Sequence, residues 1–156
     1  MNRQELYGLI LGILSIIASL IVALAPIGAF ISDEPLPVPP NLVITNGVIT
    51  PSSNALWFYL WKATVILVVL FFAALIASFF VETNRGVRLF FTVLSFAIAA
   101  LHYANIFAMS NSISIYPLIY IIHMKINGAN INQYYLDIGQ LFLIYGFYNV
   151  YILSKK

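Results

Sequence analysis

The stretch ALWFYLWKATVILVVLFFAALIASFFV, residues 55–81, holds a single charge, Lys62. It exceeds the roughly 20 apolar residues that cross a ~30 Å hydrocarbon core at about 1.5 Å per residue. No water reaches backbone polar groups in such a core, so a helix is the form the stretch must take. Three more stretches read the same way. Residues 6–31 carry no charge, residues 87–109 carry Arg88 at one edge and His102 inside, and residues 136–154 carry Asp137 near the start. The expectation is an all-α integral membrane protein: one membrane domain over residues 1–156, built as a four-transmembrane-helix bundle.

Composition agrees. Of 156 residues, 62% are hydrophobic and 8% charged, and the mean hydropathy is +0.98. A soluble domain carries about 45–50% apolar and about 25% charged residues. Seven Lys+Arg and five Asp+Glu cannot coat a water-facing globule of this length. A soluble enzyme and a nucleic-acid-binding module are therefore excluded, and a net charge of +2 calls for no polyanionic partner. With no cysteine there is no disulfide, thiolate metal site or iron–sulfur cluster. The expected partners are the lipid bilayer and other membrane chains, or a second copy of this one.

Four crossings put both termini on one side, together with Arg3, Arg85, Arg88, Lys155 and Lys156, and leave Lys62 and Lys125 for the other. The positive-inside bias then predicts a multi-pass protein of the cell membrane with both termini cytoplasmic. Arg3, the apolar run and Ala23-Leu24-Ala25 also have the outline of a secretion signal. The run is longer than a usual signal core and Pro26 follows the cut position, so it reads as a retained helix.

The loops on the outer side, residues 32–54 and 110–135, are long for a compact protein. In the first, Asn46-Gly47 sits between Leu42-Val43-Ile44-Thr45 and Val48-Ile49-Thr50, the strongest short-range hairpin signal. In the second, β-branched and aromatic residues 118–126 lead to Asn127-Gly128 and then to residues 131–135. A small extracellular β-sheet or hairpins are expected, with strands pairing across the two loops. The competing reading makes residues 113–124 an extension of the third helix or a re-entrant helix, against which Pro117 stands.

Two sets of residues are singled out for function. Gly8, Gly12, Ser15, Ser19 and Ala23 recur at helical spacing, as small residues do where helices approach closely in lipid. They read as bundle packing or as a dimerisation face, with Gly139 and Gly146 on the fourth helix offering a facing groove. His102 lies about 10 Å below the outer boundary, counting 1.5 Å per residue from residue 109. An ionisable residue at that depth is a functional-site hypothesis by default. Lys62, Asn105, Asp137 and Gln140 fall at comparable depth and form a polar cluster with it. Hydrogen bonding between helices, or binding of a quinone, proton or haem, are the readings open to that cluster.

Four helices, cytoplasmic termini, a short inner turn at residues 82–86 and a β-capped outer face together resemble the claudin-type tetraspan plan. That resemblance is one of topology. The Trp…Gly-Leu-Trp…Cys…Cys signature of those proteins is missing: Ala55-Leu56-Trp57 is not an adequate substitute for it, and the chain has no cysteine. The function expected is non-enzymatic: protein–protein interaction, as a self-associating structural protein or an accessory subunit of a larger membrane complex. Asn46-Gly47 and Asn127-Gly128, which shape the outer loops, join the small-residue stripe as interaction residues. No cofactor is assigned. The alternative is a redox or transport component working near His102.

Overall fold

A computed structural model describes residues 2–25, 42–51, 56–80, 83–126 and 128–155. The element order is α1 (Arg3–Leu24), β1 (Leu42–Thr45), β2 (Val48–Pro51), α2 (Leu56–Ser78), α3 (Arg85–Met109), β3 (Ile113–Tyr116), β4 (Ile119–Ile126), β5 (Ala129–Leu136) and α4 (Ile138–Ser154). Three of the four helices, α1, α2 and α3, are long and apolar enough to cross a membrane. The fourth is shorter, at 17 residues, because the strand β5 claims Leu136 and Asp137 caps the helix. Pro26, Asn127 and the proline-rich residues 35–40 lie outside the described residues.

Polar caps set where the helices begin. At α1 the Asn2 side chain accepts from the Glu5 amide, and Glu5 accepts from the Asn2 amide, a closed capping box. Asn84 caps α3 through the Val87 amide. Arg85, in the first turn of α3, pins three helices together. Its Nε is 2.6 Å from Glu5 Oε1 on α1 and its Nη2 donates to the Leu153 carbonyl at the end of α4.

α3 is the hub, packed against α1, α2 and α4. Half of its apolar window is buried, against 22% for α1 and for α2. Its small and short-polar residues explain this. Gly86, Thr92, Ser95 and Ala99 are all buried and let neighbours come close. The core gathers Leu67 and Phe71 of α2, Phe91, Leu94, Ile98 and Ala99 of α3, and Phe142 of α4. The Phe71 ring meets Phe91, Phe142 and Tyr145 edge to face, at 5.2, 4.9 and 5.5 Å between centroids, the geometry aromatic quadrupoles prefer.

The small-residue stripe of α1 is occupied within the chain. Gly8, Gly12, Ser19 and Ala23 are buried and Ser15 is half-buried. A Cβ at Gly8 would lie 2.0 Å from the Gly86 carbonyl oxygen, and one at Gly86 would lie 2.3 Å from the Gln4 carbonyl oxygen. The groove that meets the stripe is therefore made by Gly86 and Val93 of α3. Gly139 and Gly146 face α3 as well, against His102 and Phe96.

Residues 113–116 and 119–126 are strands, which settles the sheet against the helical reading. The strands do not pair across the two loops into one sheet. β1 and β2 close on each other, with Thr45 opposite Val48, and β3-β4-β5 form a separate antiparallel sheet. Each hairpin is closed locally: Asn46 and Gly47 both take positive φ, as a two-residue turn of this kind requires. The two units meet through the turn instead. Gly47 accepts from the Lys125 amide, Asn46 N–H donates to Asn111 Oδ1 at 2.8 Å, and Ile44 bridges Ser110.

A methyl group cannot enter the α1–α3 crossing without moving backbone. Gly8→Ala is expected to cost about 1–3 kcal/mol, as overpacked cores do, and to lower the thermal midpoint in detergent. An unchanged midpoint would show that α1 does not seat on α3 as described.

Candidate site at the junction of α3, α4 and the sheet

Asp137 is fully buried. Its carboxylate caps α4 by accepting the Gln140 amide at 3.1 Å, and it also accepts from Gln140 Nε2 at 2.9 Å and from the Tyr103 hydroxyl at 3.0 and 3.2 Å. His102 Nε2 lies 3.4 Å away, beyond its own hydrogen-bond geometry. A carboxylate out of water needs several donors to offset desolvation, and a helix N-terminus adds a favourable dipole.

The same two residues of α4 hold the sheet. Tyr116-Pro117-Leu118-Ile119 turns β3 into β4, and Leu118 takes φ +64°. Proline at the second position and a positive φ at the third have the φ signs of a type II turn, which normally puts glycine where Leu118 stands. Both backbone groups of Leu118 are held. Its N–H donates to Gln140 Oε1 at 2.9 Å and its carbonyl accepts the Asp137 N–H at 2.9 Å. Gln140 Nε2 also donates to the Tyr116 carbonyl at 2.7 Å. An unfavourable conformation of order 1–2 kcal/mol is thus fixed by the first turn of α4.

Of the five residues expected to cluster, His102, Asp137 and Gln140 come together. Asn105 sits one turn along α3, and its Oδ1 is buried without a hydrogen-bond partner. Lys62 serves elsewhere. Its Nζ donates to the Ala25 carbonyl at 2.9 Å, closing the end of α1, and lies 5.4 and 5.3 Å from the Phe58 and Tyr59 ring centroids. Three buried polar atoms among the described residues lack a partner: Trp57 Nε1, His102 Nε2 and Asn105 Oδ1. They come from the first turn of α2 and the last two turns of α3.

The second histidine is not a mate for the first. Tyr120 of β4 lies against His102, at 5.8 Å between rings, whereas His123 is on the opposite face of that strand. Both His123 nitrogens are engaged, Nε2 with Ser114 at 2.9 Å and Nδ1 with Asn132 at 2.9 Å. This cross-strand chain escaped the sequence reading. The hairpin register held the signal, since pairing Ile126 with Ala129 puts His123 directly opposite Asn132. Beside it, a hollow of about 300 Å³ is lined by Asn46, Gly47, Ser112, Lys125 and Asn130 among others. No group of three or more His, Cys, Asp or Glu among the described residues is arranged to hold a metal.

Burial, with Tyr135 and Asp137 nearby, pushes the Tyr120 phenol from 10.0 up to about 12. The folded group holds its proton more tightly than the unfolded one, so its contribution is complete below pH 10 and is lost as pH rises through about 12. Absorbance titration is expected to show the phenolate signal that ionises near 12 reduced by one tyrosine's share in Tyr120→Phe. An undiminished signal near 12 would mean that Tyr120 is not buried beside Tyr135 and Asp137 as described. Gln140→Ala is expected to speed amide exchange in β3 and β4 while leaving α1 and α2 protected. Uniform acceleration would mean that the latch is not local to the sheet.

No described protein family, no curated protein and no solved structure matches this chain.

Proposed function

We propose that the chain is a multi-pass membrane protein with both termini in the cytoplasm, and that its role is interaction. It associates with copies of itself or serves as an accessory subunit of a larger membrane complex. Two features support the membrane part. α1 exposes Leu11, Leu14 and Ile21, and the turn that follows α2 exposes Phe79 and Phe80 at 80% and 87%. Apolar surface on this scale needs lipid or protein to cover it.

One observation carries the interaction part. β5 is exposed at all of its residues, forms the rim of its sheet, and contains no charge and no proline. Natural edge strands are normally blunted by such residues, and one left open can accept another strand. The latch from α4 holds this rim in a fixed position. Gentle extraction from native membranes followed by native-gel sizing is expected to show an assembly larger than one chain. Asn130→Lys combined with Ile131→Lys, which charges the rim on both faces, is expected to shift that assembly to smaller species. A single-chain species before mutation would end the interaction reading.

A second reading is supported by the unpartnered Trp57, His102 and Asn105 atoms. Buried polar groups without partners mark places where a ligand or proton is accommodated. On that reading the chain is a redox or transport component binding a quinone, haem or proton near His102. His102→Ala then abolishes an activity of the native complex at unchanged thermal stability. If only stability falls, the histidine is structural.

A further inference from the structure

The lattice of β3-β4-β5 is ordered by polarity along its length on one face. Tyr120 lies against His102 of α3, so its face of β4, with the buried Ile122 and Met124, is the one that meets the bundle there. On the opposite face, register stacks cross-strand rows. The row nearest α4 is Tyr116, Ile119 and Leu136, and the next is Ser114, Ile121 and Tyr134. Beyond them come His123 with Asn132, and then Lys125 with Asn130. Tyr116, Ile119, Tyr134 and Leu136 are exposed at 49%, 38%, 64% and 58%, while Ile121 between them is buried. The face thus runs from apolar and aromatic beside the helices to polar and charged at the hairpin tip.

The apolar end sits where a length is missing. α4 has 17 residues, about 26 Å of helix at 1.5 Å per residue, against a ~30 Å core. The other helices span about 33–38 Å. Leu136 joins α4 through Asp137 alone, and each further row along the strands adds about 7 Å. One row of the sheet makes up the shortfall. The depth it can reach is limited, because the open backbone edge of β5 must find water or a pairing strand outside the hydrocarbon. The headgroup boundary meets both demands, and tyrosine favours it.

From this alignment we propose that the apolar end of the sheet, Tyr116, Ile119, Tyr134 and Leu136, is a lipid-binding surface. It rests in the headgroup–acyl boundary and completes the crossing that α4 begins. The inference rests on the membrane reading above. It also divides the sheet: lipid takes the near rows of this face, leaving the far rows and the β5 rim for a protein partner.

The cysteine-free chain allows a direct test. Tyr116→Cys, Tyr134→Cys and Leu136→Cys, with Lys125→Cys and Asn130→Cys at the far end and Val69→Cys on the exposed face of α2, each receive a nitroxide. Collision with oxygen and with a water-soluble nickel chelate is then measured in phosphatidylcholine–phosphatidylglycerol vesicles. The expected result is several-fold higher oxygen than nickel accessibility at 69, 116, 134 and 136, with the order reversed at 125 and 130. Nickel-accessible labels at 116, 134 and 136 beside a lipid-exposed 69 overturn the proposal and leave the membrane reading standing. Labels at 134 and 136 shielded from both reagents overturn it in favour of a protein covering the patch. A nickel-accessible label at 69 overturns the membrane reading itself.

Discussion

The buried Asp137 carboxylate is the point at which the structure's separate parts become one. It caps α4, takes the Tyr103 hydroxyl of α3, and through its own amide holds the carbonyl of Leu118 in the sheet. A lone buried carboxylate is costly enough that removing one partner is far worse than never having built the pair. α3, α4 and the β3–β4 turn are therefore coupled. None can leave without exposing an unsatisfied charge or releasing Leu118 from its positive φ. That coupling gives a sheet of three short strands a fixed position on a bundle whose packing is otherwise apolar.

Packing below that point follows a different rule. Lipid chains are as apolar as leucine, so on the proposed membrane reading these helices associate through close contact rather than through expulsion of water. Gly8 against Gly86 brings two backbones together, and Phe71 brings α2, α3 and α4 rings to one spot. At the end remote from the sheet, Arg85 joins α1 to α4 through Glu5 and the Leu153 carbonyl. Polar fasteners thus sit near both ends of the bundle, with close packing between them.

The helices were legible because long apolar runs have one physical solution in lipid, and their number follows from counting the runs. Their ends were less legible. Residues 136–154 read as one apolar segment, yet Asp137 is a better cap than a helix interior residue, and the strand pairing of Leu136 shortens the helix. The hairpins were announced by Asn46-Gly47 and by the β-branched run before Gly128, while the expected pairing of strands across the two loops is absent from the two separate sheets. A tight turn satisfies its own strands, so the loops meet side by side instead of sharing a ladder. Lys62 shows the limit of depth as a guide. Position along a helix fixes height but not direction, and α2 is apolar all round, so nothing in its pattern said that Lys62 would turn to Ala25 instead of Asp137. Tyr103 and Tyr120 escaped notice for a related reason: an aromatic residue in an apolar run carries no mark until its hydroxyl or ring meets a charge.

The polar cluster's place at one end of the bundle also constrains what it does. At mid-membrane, a buried histidine and carboxylate would demand a function to justify their cost. Here Asp137 and Gln140 are occupied in holding backbone that a strand-to-helix transition leaves without partners. The atoms left without a hydrogen bond, on Trp57, His102 and Asn105, all belong to α2 and α3, with His102 the one that also touches the latch, 3.4 Å from Asp137 and against Tyr120. Structural and unspent polar groups are therefore separable by element. The α4 side of the cluster is committed to the fold, and any chemistry near His102 must be done with the α2–α3 side.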